Sequence, residues 1–266
     1  MLGRSMMEST WNPETTLGRA VFLKPLFDKS YPRGCRREKM LDIGAGNGVM
    51  AEVFGAGFNE VYTIDLEIPS PRSEGPVVRG APILQWLRAS GDALPFSSDS
   101  FDLVTAFSVL EHIPDRARAV GEWIRVLKPG GLLLIQIPNR YFVIELHSGL
   151  PNPNYVPRGV RERLLNLIGY GWMKDVDIPS LRLLRRLIWR ADPSLSVSLM
   201  TLKWPMTLVP PRLRLIYRVL DGLRWFTLNP FGYMAICRKP PSPRPSLPGW
   251  LRRLALRRQW RGPRSM

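Results

Sequence analysis

Only two cysteines occur in this chain, Cys35 and Cys237, far apart and in no metal-ligand spacing. Their scarcity excludes a disulfide scaffold and a Cys-rich zinc site, and fits a reducing compartment. Histidine is equally rare, with His112 and His147 the whole supply. No apolar run approaches the ~18 residues that a bilayer-spanning helix needs. Met1 to Trp11 also lacks the apolar centre of a secretory signal. These absences lead us to expect a cytoplasmic protein with no spanning segment and no Cys-rich metal centre.

Acidic residues are absent from one region, and that absence gives the net charge of +16 its meaning. Residues 1–140 carry 16 basic and 16 acidic side chains and are neutral. Residues 141–238 carry 14 and 6, and residues 239–266 carry 8 and none. The excess therefore belongs to the second half and the tail. It suggests an anionic partner: a lipid headgroup, a phosphorylated glycan carrier or nucleic acid. Solubility and a general preference for arginine are the bland alternative. Trp250 to Trp260, with Arg252, Arg253, Arg257 and Arg258 among leucines, has the pattern of a short basic amphipathic helix. That pattern places 239–266 against an anionic membrane surface and would make the protein peripheral to the inner face of the membrane.

Five ordered segments carry the chemistry. Leu41-Asp42-Ile43-Gly44-Ala45-Gly46-Asn47-Gly48 runs from an apolar strand through three glycines toward a helix. Glycine permits so sharp a turn with a ligand against the backbone, and a helix start offers unpaired N–H groups there. Val61 to Asp65 is an apolar strand ending in a carboxylate, where doubly wound folds bind ribose hydroxyls. Ser90-Gly91-Asp92-Ala93 follows a third apolar segment, Leu84 to Ala89. Phe101 to Phe107 leads into Ser108-Val109-Leu110-Glu111-His112, and Val126-Leu127-Lys128-Pro129-Gly130-Gly131 precedes the apolar Leu132 to Ile137. A nicotinamide-binding loop would read G-x-G-x-x-G; this one reads Gly44-x-Gly46-x-Gly48, and that rival leaves Asp92 unexplained.

In this order the segments resemble the class I S-adenosylmethionine-dependent methyltransferases, and most of all their type 11 methyltransferase domain, over roughly residues 38 to 140. The resemblance implies an α/β fold: a Rossmann-like seven-stranded sheet with an inserted helical cap after strand five. It implies S-adenosylmethionine as cofactor. Gly44, Ala45, Gly46 and Gly48 would admit its methionine and ribose portions, and Asp42 would hold the loop and reach the amino group. Asp65, with Leu66 beside it, would take the ribose diol. Asp92 would take the adenine amine, with the Ala93 N–H facing a ring nitrogen. Phe107 and Ser108 would line the methionine end. Capping or turn formation is the bland reading of Asp42 and Asp92.

The pattern predicts a lid region (1–38) with a helix over Pro13 to Phe27, a cofactor-binding core (39–140), a substrate-side insertion with closing strands (141–238) and the basic tail (239–266). Within the core a helix is expected over Asn47 to Gly57 and another from Asp115 to about Leu127, ended by Pro129-Gly130-Gly131. Pro69, Pro71, Pro76 and Pro82 exclude the usual helix between strands two and three. Beyond Asn139 we expect helices over Arg158 to Ile168, Leu181 to Arg190 and Leu213 to Phe226. Strands are expected near Leu195 to Leu202 and over Phe231 to Arg238. Pro240 onward reads as disordered or only locally helical.

Methyl transfer to a hydroxyl needs alignment and a proton acceptor. His147 and Glu145, just past strand five, are the catalytic candidates, whereas His112 belongs to the shared Leu-Glu-His segment and reads as structural. A metal held by Glu111, His112, Glu145 and His147 matches no familiar spacing, so none is expected. The expected acceptor is a hydroxyl of a small molecule, glycan or lipid-linked precursor. Nucleic acid is disfavoured, because Phe107-Ser108-Val109-Leu110 stands where a base-flipping Asn/Asp-Pro-Pro-Tyr motif would be. A cofactor-binding scaffold without transfer activity, at a membrane surface, is the reading from another class.

Overall fold

The structure is a computed structural model that describes residues 13–31, 34–68, 78–141, 155–167, 177–202, 215, 232–241 and 264–265. Its strands are β1 (Lys39–Ile43), β2 (Glu60–Asp65), β3 (Leu84–Arg88), β4 (Phe101–Phe107), β5 (Leu127–Ile137), β6 (Ser196–Thr201), β7 (Tyr233–Arg238) and the short β8 (Arg264–Ser265). They form one sheet in the order β3-β2-β1-β4-β5-β7-β6-β8. The first five strands pair in parallel, whereas β7 runs antiparallel between β5 and β6. This is the expected Rossmann-like seven-stranded arrangement with one addition. Arg264–Ser265 pair in parallel with Met200–Thr201 on the outer edge of β6, inside the tail expected to lack a strand. An open sheet edge offers unpaired N–H and C=O groups, and a short extended segment satisfies them.

Period-two alternation sends each strand's side chains to two different cores. Leu41, Ile43, Val104, Ala106, Leu133 and Ile135 face α3 (Arg116–Arg125) and α5 (Leu181–Ala191), where Trp123, Leu184 and Ile188 bury. Met40, Leu103, Phe107, Leu132 and Leu134 face α1 (Pro13–Ser30) and α2 (Val49–Gly55), where Leu23, Phe27 and Phe54 bury. Covered on both sides, β4 buries all of its residues. That explains its near-continuous apolar reading. At the opposite edge β3 buries none fully. No helix separates it from β2 among the described residues, and residues 69–77, with three of the four prolines, lie outside them.

The lid helix continues past Phe27 to Ser30, whose hydroxyl donates to the Leu26 carbonyl. Beyond it, Tyr31 stacks on Phe27 at 5.5 Å, Phe54 meets Phe27 edge-on at 5.3 Å, and the Arg37 guanidinium lies over the Phe27, Tyr31 and Phe58 rings. Each aromatic pair contributes about 0.5–1.5 kcal/mol beyond burial. These rings clamp α1 onto α2.

Two expectations require correction. The first helix of the core is shorter than Asn47 to Gly57 and starts at Val49, because Asn47 folds its side chain over the Val49 N–H and Gly48 sits at φ +78°. Such a residue lies outside helical geometry. The Pro129-Gly130-Gly131 segment does not precede β5 but lies within it. Leu127 already pairs with Phe101, and the register then shifts before Leu132 pairs with Leu103. Gly130, at φ +82°, makes the bulge and donates its N–H to the Lys239 carbonyl.

Farther along, α4 (Arg158–Leu167) and α5 stand between β5 and β6 at their expected places. The Ser180 hydroxyl caps α5 by accepting from the Leu183 N–H at 3.2 Å. In the same manner the Asp115 carboxylate caps α3 by accepting from the Arg118 N–H. Of the helix expected over Leu213 to Phe226, only Leu215 is described, and it is helical; the rest lies outside the described residues.

Candidate functional site

The strand order reverses between β1 and β4, and ligand crevices of open α/β sheets lie outside the carboxyl ends of strands at such a point. Four expected segments meet there: the loop after β1, the end of β2, the turn after β3 and the start of the loop after β4. The β1 loop is pinned to β2 by its backbone, with the Gly44 and Ala45 N–H groups donating to the Ile64 carbonyl at 2.8 and 3.2 Å. The Gly46 N–H donates to the Asp65 carboxylate at 2.9 Å. Asp65 therefore sits against the glycine loop, half-buried, with acceptor capacity left for a diol. Leu66 beside it is 62% exposed.

Gly44, Gly46 and Gly48 all have positive φ, at 64°, 54° and 78°. A Cβ on Gly44 would stand 2.5 Å from the Val109 side chain, and one on Gly48 would stand 2.9 Å from the Trp86 ring. At these two positions internal packing alone already requires glycine. They pack the loop against β3 and the segment after β4.

Asp42 is 2% exposed, and the Thr105 hydroxyl donates to it at 2.5 Å across the β1–β4 pair. Burial, against that hydrogen bond and with help from the Asp65 charge, pushes its carboxyl up to about 7. It supports the loop from beneath. Asp92, half-buried, accepts from the Ser90 hydroxyl. Its turn is held from α3, where the Trp123 indole donates to the Gly91 carbonyl at 2.8 Å and the Glu122 carboxylate accepts from the Leu94 N–H. The Ala93 N–H, expected to face a ring nitrogen, is committed to the Ser90 carbonyl at 3.1 Å. Phe107 turns into the core against Phe54, with ring centroids 5.1 Å apart, whereas Ser108 is only partly buried.

Ser108 leads to residues that sequence reasoning missed. At φ +57° it leaves β4 in a conformation uncommon for a residue with a side chain. Its hydroxyl donates to the Gln136 side-chain oxygen of β5 at 2.8 Å, and the Arg19 guanidinium of α1 donates to both at 3.2 and 3.3 Å. Burial lowers the pKa of Arg19, opposed by the charge of Glu111. One turn earlier on α1, the Thr16 hydroxyl accepts from the Asn47 side-chain amide at 3.1 Å. The lid helix is thus tied to the first and fourth loops at once. The available signal was the three-residue spacing of two polar residues on a helix expected to be a lid, which puts Thr16 and Arg19 on one face.

His112 is exposed in the turn after β4. Its neighbour Glu111 is buried, and the Arg116 side chain ties that turn to Asp177 at 3.0 Å. Glu145 and His147 lie outside the described residues. Among the described residues no group of His, Cys, Asp and Glu is arranged to hold a metal ion.

Asp65 at the end of β2 and Asp92 in the turn after β3 put two carboxylates side by side, with Asp42 buried beneath the loop and its carboxyl pushed up to about 7. A dinucleotide pyrophosphate would be repelled by that set, whereas a cationic adenosyl sulfonium suits it. Asp65 beside the Gly46 N–H fits a ribose diol, and Asp92 fits an exocyclic amine. The residues present therefore fit S-adenosylmethionine.

Comparison with known proteins gives a consistent picture. Residues 41–135 match the family described as "Methyltransferase domain". An uncharacterised methyltransferase of Mycobacterium tuberculosis is 35% identical over 96 residues, 36% of this chain and 37% of that protein. A ubiquinone biosynthesis O-methyltransferase of Paracidovorax citrulli is 32% identical over 130 residues, 47% of this chain and 55% of that protein. The chain spans 37% to 55% of the length of these curated relatives. A solved S-adenosylmethionine-dependent methyltransferase from Mesorhizobium loti superposes with a TM-score of 0.54 at 15% identity, covering 82% of this chain and 98% of that one. At that identity the likeness is one of fold.

Proposed function

We propose that the chain, whose residues 41–135 match a methyltransferase domain, is a class I S-adenosylmethionine-dependent methyltransferase that transfers a methyl group to a hydroxyl of a small-molecule, glycan or lipid-linked acceptor. The cofactor of this family is S-adenosylmethionine, which supplies an electrophilic methyl group on a leaving thioether. One observation carries the reading: the Gly46 N–H and the Asp65 carboxylate meet at 2.9 Å, beside the Asp92 turn, at the switch point of the sheet.

The residues divide the work. Asp65 and Asp92 orient the adenosyl portion through its diol and its amine. Asp42, through Thr105, stiffens the glycine loop from below. Arg19, Ser108 and Gln136 form a polar wall beside the methionine end and hold the lid helix over it. Alignment is the main contribution such a site makes, since an oriented pair of reactants removes about 7–11 kcal/mol of entropic and solvent cost. A hydroxyl must also lose its proton, and we assign that step to His147 with Glu145 as its alternative, because both follow the carboxyl end of β5. The likeness to the ubiquinone biosynthesis O-methyltransferase of Paracidovorax citrulli supports an oxygen acceptor. The excess of 14 basic over 6 acidic residues in 141–238 favours an acceptor or carrier with negative charge.

Tritiated-methyl transfer into fractionated cell extract tests this directly. Label in a lipid or glycan fraction, lost in His147→Ala or Glu145→Gln with cofactor affinity retained, is the expected result. Label in nucleic acid would replace the acceptor class. Cofactor binding with no transfer to any fraction would make the protein a scaffold.

A further inference from the structure

Exposed large apolar side chains cluster in one place. Tyr141, Tyr155, Val156, Val160, Leu164 and Leu167 are 51, 57, 36, 51, 50 and 84% exposed. Val160, Leu164 and Leu167 recur at helical spacing along one face of α4, with the exposed Arg163 on the same face. Only Leu165 of that helix is buried among its leucines and valine, so the stripe faces away from the described core. The start of α4 is tied to the reaction side of the sheet. The Tyr155 hydroxyl donates to the Tyr141 carbonyl at 2.6 Å, and the Tyr141 N–H donates to the Asn139 side chain just past β5. The Arg140 guanidinium lies 5.6 Å from the Tyr141 ring centre.

We propose that this face of α4, with Tyr141 and Tyr155 at its root, docks onto an anionic lipid surface and brings the carboxyl end of β5 to a lipid-borne acceptor. The proposal rests on the methyltransferase reading and names the side from which the acceptor enters. Charge selects the occupant. The helix carries Arg158, Arg161 and Arg163 against the single acid Glu162, in a chain of net charge +16. A leucine and valine stripe edged by arginines, with aromatic hydroxyls at one end, is the pattern that seats in the headgroup boundary of a bilayer. No helix among the described residues is long and apolar enough to cross a membrane. The face therefore lies on the surface and does not span it.

The test uses the full chain and vesicles of either pure phosphatidylcholine or an equal mixture with phosphatidylglycerol. Co-sedimentation with the mixed vesicles, weak with phosphatidylcholine alone, is expected. The double variant Leu164→Glu/Leu167→Glu should weaken it by roughly tenfold or more, since two leucines lose their burial. A variant truncated after Lys239 separates the contribution of the basic tail and should keep most of the leucine-dependent binding. Because the chain already has nine tryptophans, the Leu164→Trp minus wild-type difference spectrum is read, and it should shift to the blue on mixed vesicles. Undiminished binding by the double variant overturns the proposal, as does an unshifted difference spectrum. A wild-type dimer that the double variant converts to monomer would also overturn it, by making a second copy the occupant. Calorimetric binding of S-adenosylmethionine by the same proteins reports on the methyltransferase reading independently, so failure of one is not mistaken for failure of the other.

Discussion

The two sides of β5 are built on different terms. On one side, residues 39–137 form parallel strands whose loops are fastened to each other by backbone hydrogen bonds and by carboxylates, in a region with more acidic than basic residues. On the other, β7 and β6 close the sheet antiparallel, and the intervening residues carry the basic excess and the exposed apolar face. The first side needs one geometry, because a single cofactor must be held in one pose. The second needs only to close the sheet and meet an acceptor, so its chemistry resides in surface character more than in a fixed constellation.

The sharpest challenge to that contrast is Gly232, which begins the closing strand. At φ +75°, a Cβ there would stand 2.0 Å from the Ile137 carbonyl oxygen, a backbone atom that cannot swing aside. Gly232→Ala is expected to cost on the order of 3 kcal/mol or more, or to prevent folding, as judged by thermal unfolding. A small effect would mean that closure matters less than the parallel half.

Asp42 comes next and tests whether the parallel half stores strain. Its carboxyl titrates near 7 when folded, against an ordinary 3.8. Because the folded state binds the proton more tightly, this group makes stability fall as pH rises from about 4 to about 7 and leaves it flat above. Each unit of that difference corresponds to roughly 1.4 kcal/mol. Asp42→Asn keeps an acceptor for Thr105 and should remove this slope, leaving the variant more stable than wild type at pH 8 in denaturant titrations. Parallel pH profiles for the two proteins would refute the burial effect.

Asp65→Ala should weaken S-adenosylmethionine binding by roughly ten- to a hundredfold, since a hydrogen bond to a charged group contributes about 1.5–3 kcal/mol. Unchanged calorimetric affinity would remove the cofactor from this loop. The smallest effect is expected at Arg19, whose replacement by alanine should lower cofactor affinity by roughly two- to tenfold through loss of ordinary hydrogen bonds. The melting temperature should change little, because the aromatic clamp of Phe27, Tyr31 and Phe54 holds α1 by itself. A large loss of stability instead would make Arg19 part of the fold and not of the site.

The parallel half was readable because its signals are local. A strand ending in Asp65, a turn reading Gly91-Asp92 and a helix capped by Asp115 each announce themselves within a few residues. The boundaries that moved did so through distant partners. Leu127 became strand because Phe101 lies beside it, and Pro129-Gly130-Gly131 became a bulge because Lys239 bonds across it. The reason for Gly44 and Gly48 was likewise hidden, since Val109 and Trp86 lie far along the chain. Arg19 has no motif of its own. It gains a role only when α1 crosses the ends of β4 and β5.

Order along the chain was enough to specify an α/β sheet, its cofactor carboxylates and the charge division between its halves, because strand periodicity, caps and composition are properties of neighbouring residues. That Gly44 and Gly48 meet distant side chains, how high the Asp42 proton affinity rises, and that Arg19 joins Ser108 and Gln136 were decided only on folding. Each depends on groups brought from tens of residues away into a space that excludes water, where contact and desolvation have no counterpart in linear order.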